Sequence, residues 1–287
     1  MATPELGGGP AGTLFCGLEL AARIERAETG LITAGARAAL ARLGPDAGFV
    51  TPLAGGAACR ADEHSPLNKV VGLGFAGAPS EAELDAVERR FAALGTPVQV
   101  ELAHVADPAV GELLTGRGYR LAGFENLLGR EVTARDRAAT VPDVEVGESG
   151  DEEFEAWLDT VVDGFAHPDT QGVASHEEFP RDVVETSVRD MSAAAGMRRY
   201  LARVDGVVAG AASMRVVDGL AQLTGAATLP AYRRRGVQAA LLTARLDRAA
   251  EERADLAVIT TQPASTSQHN AQRRGFSLLY TRAVLVR

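Results

Sequence analysis

Apolar residues recur at strand and helix spacings through two stretches of the chain. Between them, Thr133–Gly150 breaks the pattern with Arg, Asp, Thr and Pro142. In the second stretch, Ser149-Gly-Asp-Glu152 reads as a capping box ahead of Phe154, Trp157, Leu158 and Val161, a helical spacing. Ser175-His-Glu-Glu178 reads as another, opening a helix to about Met191. Strands are expected near Arg199–Val204 and Val207–Val216, joined by the Asp205-Gly206 turn, with a third near Leu220–Thr228. Pro230 ends that strand, and an amphipathic helix with Leu241, Leu242 and Leu246 on its apolar side follows.

The two stretches superpose without a gap at an offset of 157 residues. Arg117-Gly118-Tyr119 then falls on Arg274-Gly275-Phe276, each ahead of a final apolar strand. Pro97–Leu102 falls on Ala254–Ile259, and the helix Ser80–Leu94 on Val237–Glu251. Agreement of strand, helix, Arg-Gly-aromatic and strand in order points to a duplication. Each half ends in a β–α–β–α–β unit, so the fold class is α/β. The expected division is a disordered tail over 1–12, a first domain over 13–132, a linker over 133–142 and a second domain over 143–287.

Composition narrows the class. Hydrophobic residues make up 46% and charged residues 23% of 287, which are globular values. The net charge of −9 argues against a protein that coats nucleic acid or an anionic membrane. Charge is unevenly placed: residues 228–287 hold 10 arginines and 4 carboxylates, whereas 144–227 hold 6 and 16. Cys16 and Cys59 are too few for a disulfide framework, which favours a reducing compartment. No basic leader and no apolar run of about 20 residues is present, so a cytoplasmic protein is expected.

The chemistry concentrates after the third strand, in Thr228-Leu-Pro-Ala-Tyr-Arg-Arg-Arg-Gly-Val-Gln-Ala. The first amides of a helix have no internal partners and lie at the positive end of its dipole. Gly236 admits a bulky anion to the backbone, while Arg233, Arg234 and Arg235 add charge. The arrangement reads as a pyrophosphate cradle.

Here the sequence resembles the GCN5-related N-acetyltransferase (GNAT) superfamily. That family's signature is Arg/Gln-x-x-Gly-x-Gly/Ala. Arg233-x-x-Gly236-x-Gln238 fills two of the three slots, with Gln238 at the third. The Thr-Leu-Pro-x-Tyr before it and the Arg-x-Gly-Phe near the end are also similar to the family. The resemblance covers residues 143–287, and the first half resembles a degenerate second copy. It implies two GNAT-like lobes, each a mixed, mostly antiparallel twisted sheet flanked by helices. It further implies acetyl-CoA as co-substrate and a primary amine of a small molecule or peptide as acceptor, with no metal. Backbone groups of Ala226, Ala227 and Thr228 would pair with the pantetheine arm. The amides from Arg233 through Arg234, Arg235, Gly236, Val237 and Gln238 to Ala239 would hold the pyrophosphate, with Asn270 in reach.

No catalytic residue follows from the resemblance. The family's frequent tyrosine acid falls on Ala271, and the strand that often carries a carboxylate offers Gln222 and Thr224. Asp151–Asp163 and Asp169–Glu178 would attract a cationic amine or form a solvated face. Two rival readings remain open: an acyl-CoA-binding protein without activity, and an NAD-binding oxidoreductase. The second rests on Gly72-Leu-Gly74-Phe-Ala-Gly77, where Ser80-Glu-Ala-Glu83 caps the following helix with its own side chains. Clusters at Cys59–His64 and at His167, Asp169 and His176 lack the spacing of a structural zinc site.

Overall fold

A computed structural model describes residues 14–136, 143–168 and 171–287. The tail 1–12, most of the linker and Asp169 lie outside the described residues.

The first half runs α1 (Leu18–Leu43), β1 (Phe49–Leu53), β2 (Gly56–Arg60), β3 (Lys69–Val71), α2 (Glu81–Ala93), β4 (Gln99–Ala103), α3 (Pro108–Gly116) and β5 (Arg120–Glu131). The second runs β6 (Glu145–Glu148), α4 (Phe154–Ala166), α5 (Arg181–Ser192), β7 (Arg198–Val204), β8 (Val207–Val217) and β9 (Leu220–Thr228). It closes with α6 (Val237–Glu251), β10 (Leu256–Thr261), α7 (Thr266–Arg273) and β11 (Ser277–Val286). Both halves end in the expected strand–helix–strand–helix–strand order.

All eleven strands join one sheet, in the order β1-β2-β3-β4-β11-β5-β10-β9-β8-β7-β6. Among the described residues, only the pairs β3–β4 and β9–β10 are parallel. The two final strands are exchanged. β11, from the second half, pairs with β4 of the first, while β5, from the first, pairs with β10 of the second. The exchanged strands pair with each other through the sheet centre. The two lobes therefore share a continuous sheet.

Local chemistry explains most boundaries. Ser80 and Glu83 form the expected reciprocal capping box on α2. Ser265 caps α7 by accepting from the Gln268 amide. Asp205 and Gly206 take the positive φ values of 53° and 78° that a two-residue hairpin turn requires. The other two boxes do not form. The Ser149 hydroxyl donates to the Gly150 carbonyl, and a 3-10 turn over Asp151–Glu153 leads into α4. Ser175 instead accepts from the Glu177 amide in a local turn, and α5 begins after Pro180.

Helix α1 is the element with no expectation attached to it. Ala21, Ile24, Leu31, Ile32, Ala36 and Ala39 form its buried stripe. It packs across the seam, against Leu127 of β5, Leu220 of β9, Val258 of β10 and Tyr280 of β11. No helix among the described residues is long and apolar enough to cross a membrane.

Candidate functional site

The site begins where β9 and β10 part. Their parallel pairing stops at Gln222 opposite Val258, after which β10 keeps its partner β5 and β9 keeps β8. A bulge bends β9 at that point. Ala227 opposes Ala211 and Thr224 opposes Ser213, so Gly225 and Ala226 together face one residue, Ala212. The edge of β9 beyond Gln222 that turns towards β10 has no strand partner.

Arg245 of α6 holds the bulge open. Its guanidinium donates to the carbonyls of Ser213 and Thr224 at 3.2 and 3.3 Å, and its Nε to Leu241 at 3.1 Å. Burial lowers its pKa to about 10, and the carbonyls satisfy its donors.

The chain then turns through Pro230–Tyr232 into α6. Arg233 is extended, Arg234 is left-handed at φ 63°, and Gly236, the N-cap, is left-handed at φ 84°. The first helical bond runs from the Ala240 amide to the Gly236 carbonyl at 2.9 Å. The amides of Val237, Gln238 and Ala239 therefore precede the ladder, and a glycine cap has no side chain to satisfy them. Gly210 on β8 lets this end of the helix approach the sheet: a Cβ there would lie 2.6 Å from Val237 Cγ1.

Ala226, Gln238 and Asn270 line one cavity of about 280 Å³ in the cleft between the splayed strands. Ala227 turns its side chain onto Gly164 of α4. Thr228 Oγ1 is buried with no hydrogen-bond partner. Arg233 donates to the His167 carbonyl, and Arg235 pairs with Asp205 at 3.2 Å. Asn270 lies within α7 and not at its cap. Amides outside the helical ladder and an open strand edge suit a ligand that carries both phosphates and amides. Ala271, where the family often carries a tyrosine, is buried and lines the same cavity.

The first half contributes what the sequence did not reveal. Glu28 of α1 lines the same cavity, with Ile24 and Leu31 one turn either side. Gln222 Nε2 donates to Glu28 Oε2 at 3.3 Å, while Gln222 Oε1 accepts from Arg215 at 2.7 Å. Behind Glu28 lies a buried charge network. Arg282 donates to Glu25, Lys69 pairs with Glu101, and Tyr280 donates its hydroxyl to Glu25 at 2.7 Å. Burial, reinforced by Glu101, raises the Glu125 carboxyl to about 7 against the pull of Lys69 and Arg282. The stripe Ala21, Ile24, Ala27, Leu31 is the sequence signal that places Glu25 and Glu28 facing inward.

The charge partition changes in three dimensions. Arg245 and Arg282 are buried, so the C-terminal arginines do not form one cationic patch. The acidic stretch is largely neutralised: Asp151 pairs with Arg199 at 2.7 Å, Glu155 with Arg189 at 2.9 Å, and Asp163 with Arg181. The glycine-rich loop is packed. A Cβ on Gly72 would lie 2.3 Å from Thr29 Oγ1, and on Gly74 2.6 Å from Ala106 Cβ. Those glycines serve close packing, and α2 starts four residues after Gly77 with its cap at Ser80 already filled. Among the described residues no group of three or more His, Cys, Asp or Glu could hold a metal ion.

Comparison with known proteins agrees with this geometry. The acetyltransferase (GNAT) family model matches residues 164–276. A GCN5-related N-acetyltransferase from Kribbella flavida superposes with a TM-score of 0.60 at 21% identity, covering 88% of this chain and 95% of that one. A tandem GNAT protein from the clavulanic acid biosynthesis pathway gives 0.59 at 13% identity, with 94% and 93% covered. A GCN5-related N-acetyltransferase from Sphaerobacter thermophilus gives 0.53 at 13%, with 72% and 66% covered. No curated protein matches the chain in sequence. The second half of the chain, over residues 164–276, carries a domain of the acetyltransferase (GNAT) family.

Proposed function

We propose that the chain is an acyltransferase that moves an acetyl group from acetyl-CoA to a primary amine of a small molecule or peptide by direct attack. The observation that carries this reading is the uncapped start of α6, with left-handed Gly236, opening onto the cleft between β9 and β10. In this reading the amides from Arg233 to Ala239 hold the pyrophosphate. The free edge of β9 at Ala226, Ala227 and Thr228 holds the pantetheine arm, and Asn270 contacts the cofactor from α7. The domain over 143–287 is the active copy. The domain over 13–132 keeps the scaffold but has Ala76-Gly-Ala-Pro79 and a capped helix where the cradle would be.

Titration calorimetry with acetyl-CoA tests the assignment. One site per chain is expected, strongly weakened by Gly236→Glu. Unchanged binding in that variant would sink the site, and a second equivalent site would refute the inactive first copy.

Buried Ala271 at the position of the usual acid favours one alternative, an acyl-CoA-binding protein without turnover. Release of CoA thiol in the presence of an amine panel separates the two. Positioning an amine against a reactive thioester supplies much of the rate without a placed acid.

A further inference from the structure

We propose that Glu28, on α1 of the first half, is the carboxylate that receives the acceptor amine's proton. This rests on the acyltransferase reading above and assigns its missing base.

Elimination carries the argument. The side chains lining the cavity include two charged groups, Glu28 and Arg245. Arg245 is committed to three carbonyls and cannot accept a proton. The neighbouring carboxylates are unavailable. Glu25 is buried and accepts from both Tyr280 and Arg282, Glu101 is buried against Lys69, and Glu125 does not line the cavity. Of the four carboxylates, Glu28 is the one that lines the cavity, and 18% of its side chain is exposed.

Its hydrogen bonds leave acceptor capacity. Oε2 takes one bond from Gln222, whose orientation is fixed because its own oxygen is used by Arg215. Oε1 faces Arg282 Nη1 at 3.9 Å, an ion pair with no hydrogen bond. Gln222 stands on β9 at the last residue paired with β10, so its contact places Glu28 at the fork itself. The strand lacks a carboxylate of its own, and α1 brings one to the same point.

The charged groups around Glu28 are Glu25 on α1, Lys69 on β3, Glu101 on β4, Glu125 on β5, Arg215 on β8 and Arg282 on β11, with Arg245 of α6 lining the same cavity. Burial raises the Glu28 carboxyl first, Glu101 and Glu25 add to the rise, and Arg282 and Lys69 oppose it. A carboxylate so raised is better matched to an ammonium ion at neutral pH.

The step balances. An ammonium R–NH3+ passes one proton to Glu28, and the amine nitrogen then attacks the thioester carbonyl carbon. The C–N bond forms and the C–S bond breaks. The proton lost by nitrogen goes to the departing thiolate, giving amide and CoA thiol, and Glu28 returns its proton to water.

Turnover would be measured with 1,4-diaminobutane, agmatine, tyramine and hydroxylamine as probes. Glu28→Gln is expected to lower kcat on the first three by about 10²–10⁴-fold. The acetyl-CoA Kd should stay within two-fold, and the acid limb of the kcat/KM profile should move up towards the pKa of the amine itself. Hydroxylamine, largely neutral at pH 7, should lose much less. Should Glu28→Gln fail to fold by circular dichroism, Glu28→Asp takes its place, with a smaller loss of kcat and the acid limb retained. A wild type that turns over while Glu28→Gln keeps its rate and its acid limb overturns Glu28 alone. Acetyl-CoA binding without turnover on any probe overturns the acyltransferase reading, and this role with it.

Discussion

Arg282 Nε donates to Glu25 Oε1 at 2.7 Å across 257 residues of sequence, joining the last strand to the first helix with both side chains sealed from solvent. The other two guanidinium nitrogens make no hydrogen bond. Nη1 instead lies 3.7–3.9 Å from carboxylates of Glu28, Glu101 and Glu125. The residue acts mainly as the counter-charge of a buried anionic cluster.

Arg282→Met should therefore strip four carboxylates of the counter-charge they share. Breaking a buried pair by removing one partner costs about 3–5 kcal/mol. Urea unfolding at pH 8 is expected to show a loss of that size, shrinking at pH 5 as Glu28 and Glu125, whose carboxyls burial raises, take up protons. A loss below about 1 kcal/mol at pH 8 would contradict this account.

Glu125 has the opposite sign. Its folded pKa of about 7 stands above the ordinary glutamate value, so its contribution is complete at acid pH and is lost as pH rises through about 7. Glu125→Gln mimics the protonated form. It should stabilise the protein at pH 8 on the order of 2–3 kcal/mol and change little at pH 5. Thermal midpoints of both proteins at the two pH values check this, and equal midpoints at pH 8 would refute it.

Gly210→Ala tests how the helix start is positioned. The new Cβ would lie 2.6 Å from Val237 Cγ1 and 2.8 Å from the Ala227 carbonyl. Overpacking of this kind costs about 1–3 kcal/mol. Because both neighbours belong to the cradle, acetyl-CoA affinity should fall by at least ten-fold. Retained affinity in a destabilised variant would separate Gly210 from the site.

The exchange of β5 and β11 predicts that residues 143–287 cannot fold alone. Without the first half, strand β10 loses its antiparallel partner β5, and β11 loses both of its partners, β4 and β5. The buried Leu128 leaves the core of the second half. Circular dichroism of the isolated half should show no cooperative transition, and one should return when residues 14–136 are supplied in trans. A cooperative, monomeric half would overturn the prediction.

Much of the second half was legible because its signals are local. The Asp205-Gly206 turn, Pro230, the run Arg233–Gly236 and the leucines of α6 each act within a few residues. Both Arg-Gly-aromatic segments place a glycine at positive φ, Gly118 at 87° and Gly275 at 82°. Strand exchange was not legible, since β5 and β11 carry the same apolar alternation whichever neighbour they choose. Glu25 and Glu28 were hidden for another reason. In an Ala- and Arg-rich helix they look like solvent charges, and the partners that hold them, Arg282 for Glu25 and Gln222 for Glu28, lie far away in sequence. The failed boxes at Ser149 and Ser175 show local hydroxyl bonds winning over helix capping.

Strand exchange also sets a timetable for synthesis. β4 ends at Ala103, and its neighbour β11 begins only at Ser277. At about 5–20 residues per second, the ribosome adds the intervening chain in roughly 9–35 s. Throughout that interval β4 presents a bare edge, and β5 does so too once it has been made. Such edges recruit other chains, so the nascent protein should depend on holding chaperones until its final strand slots into the middle of the sheet.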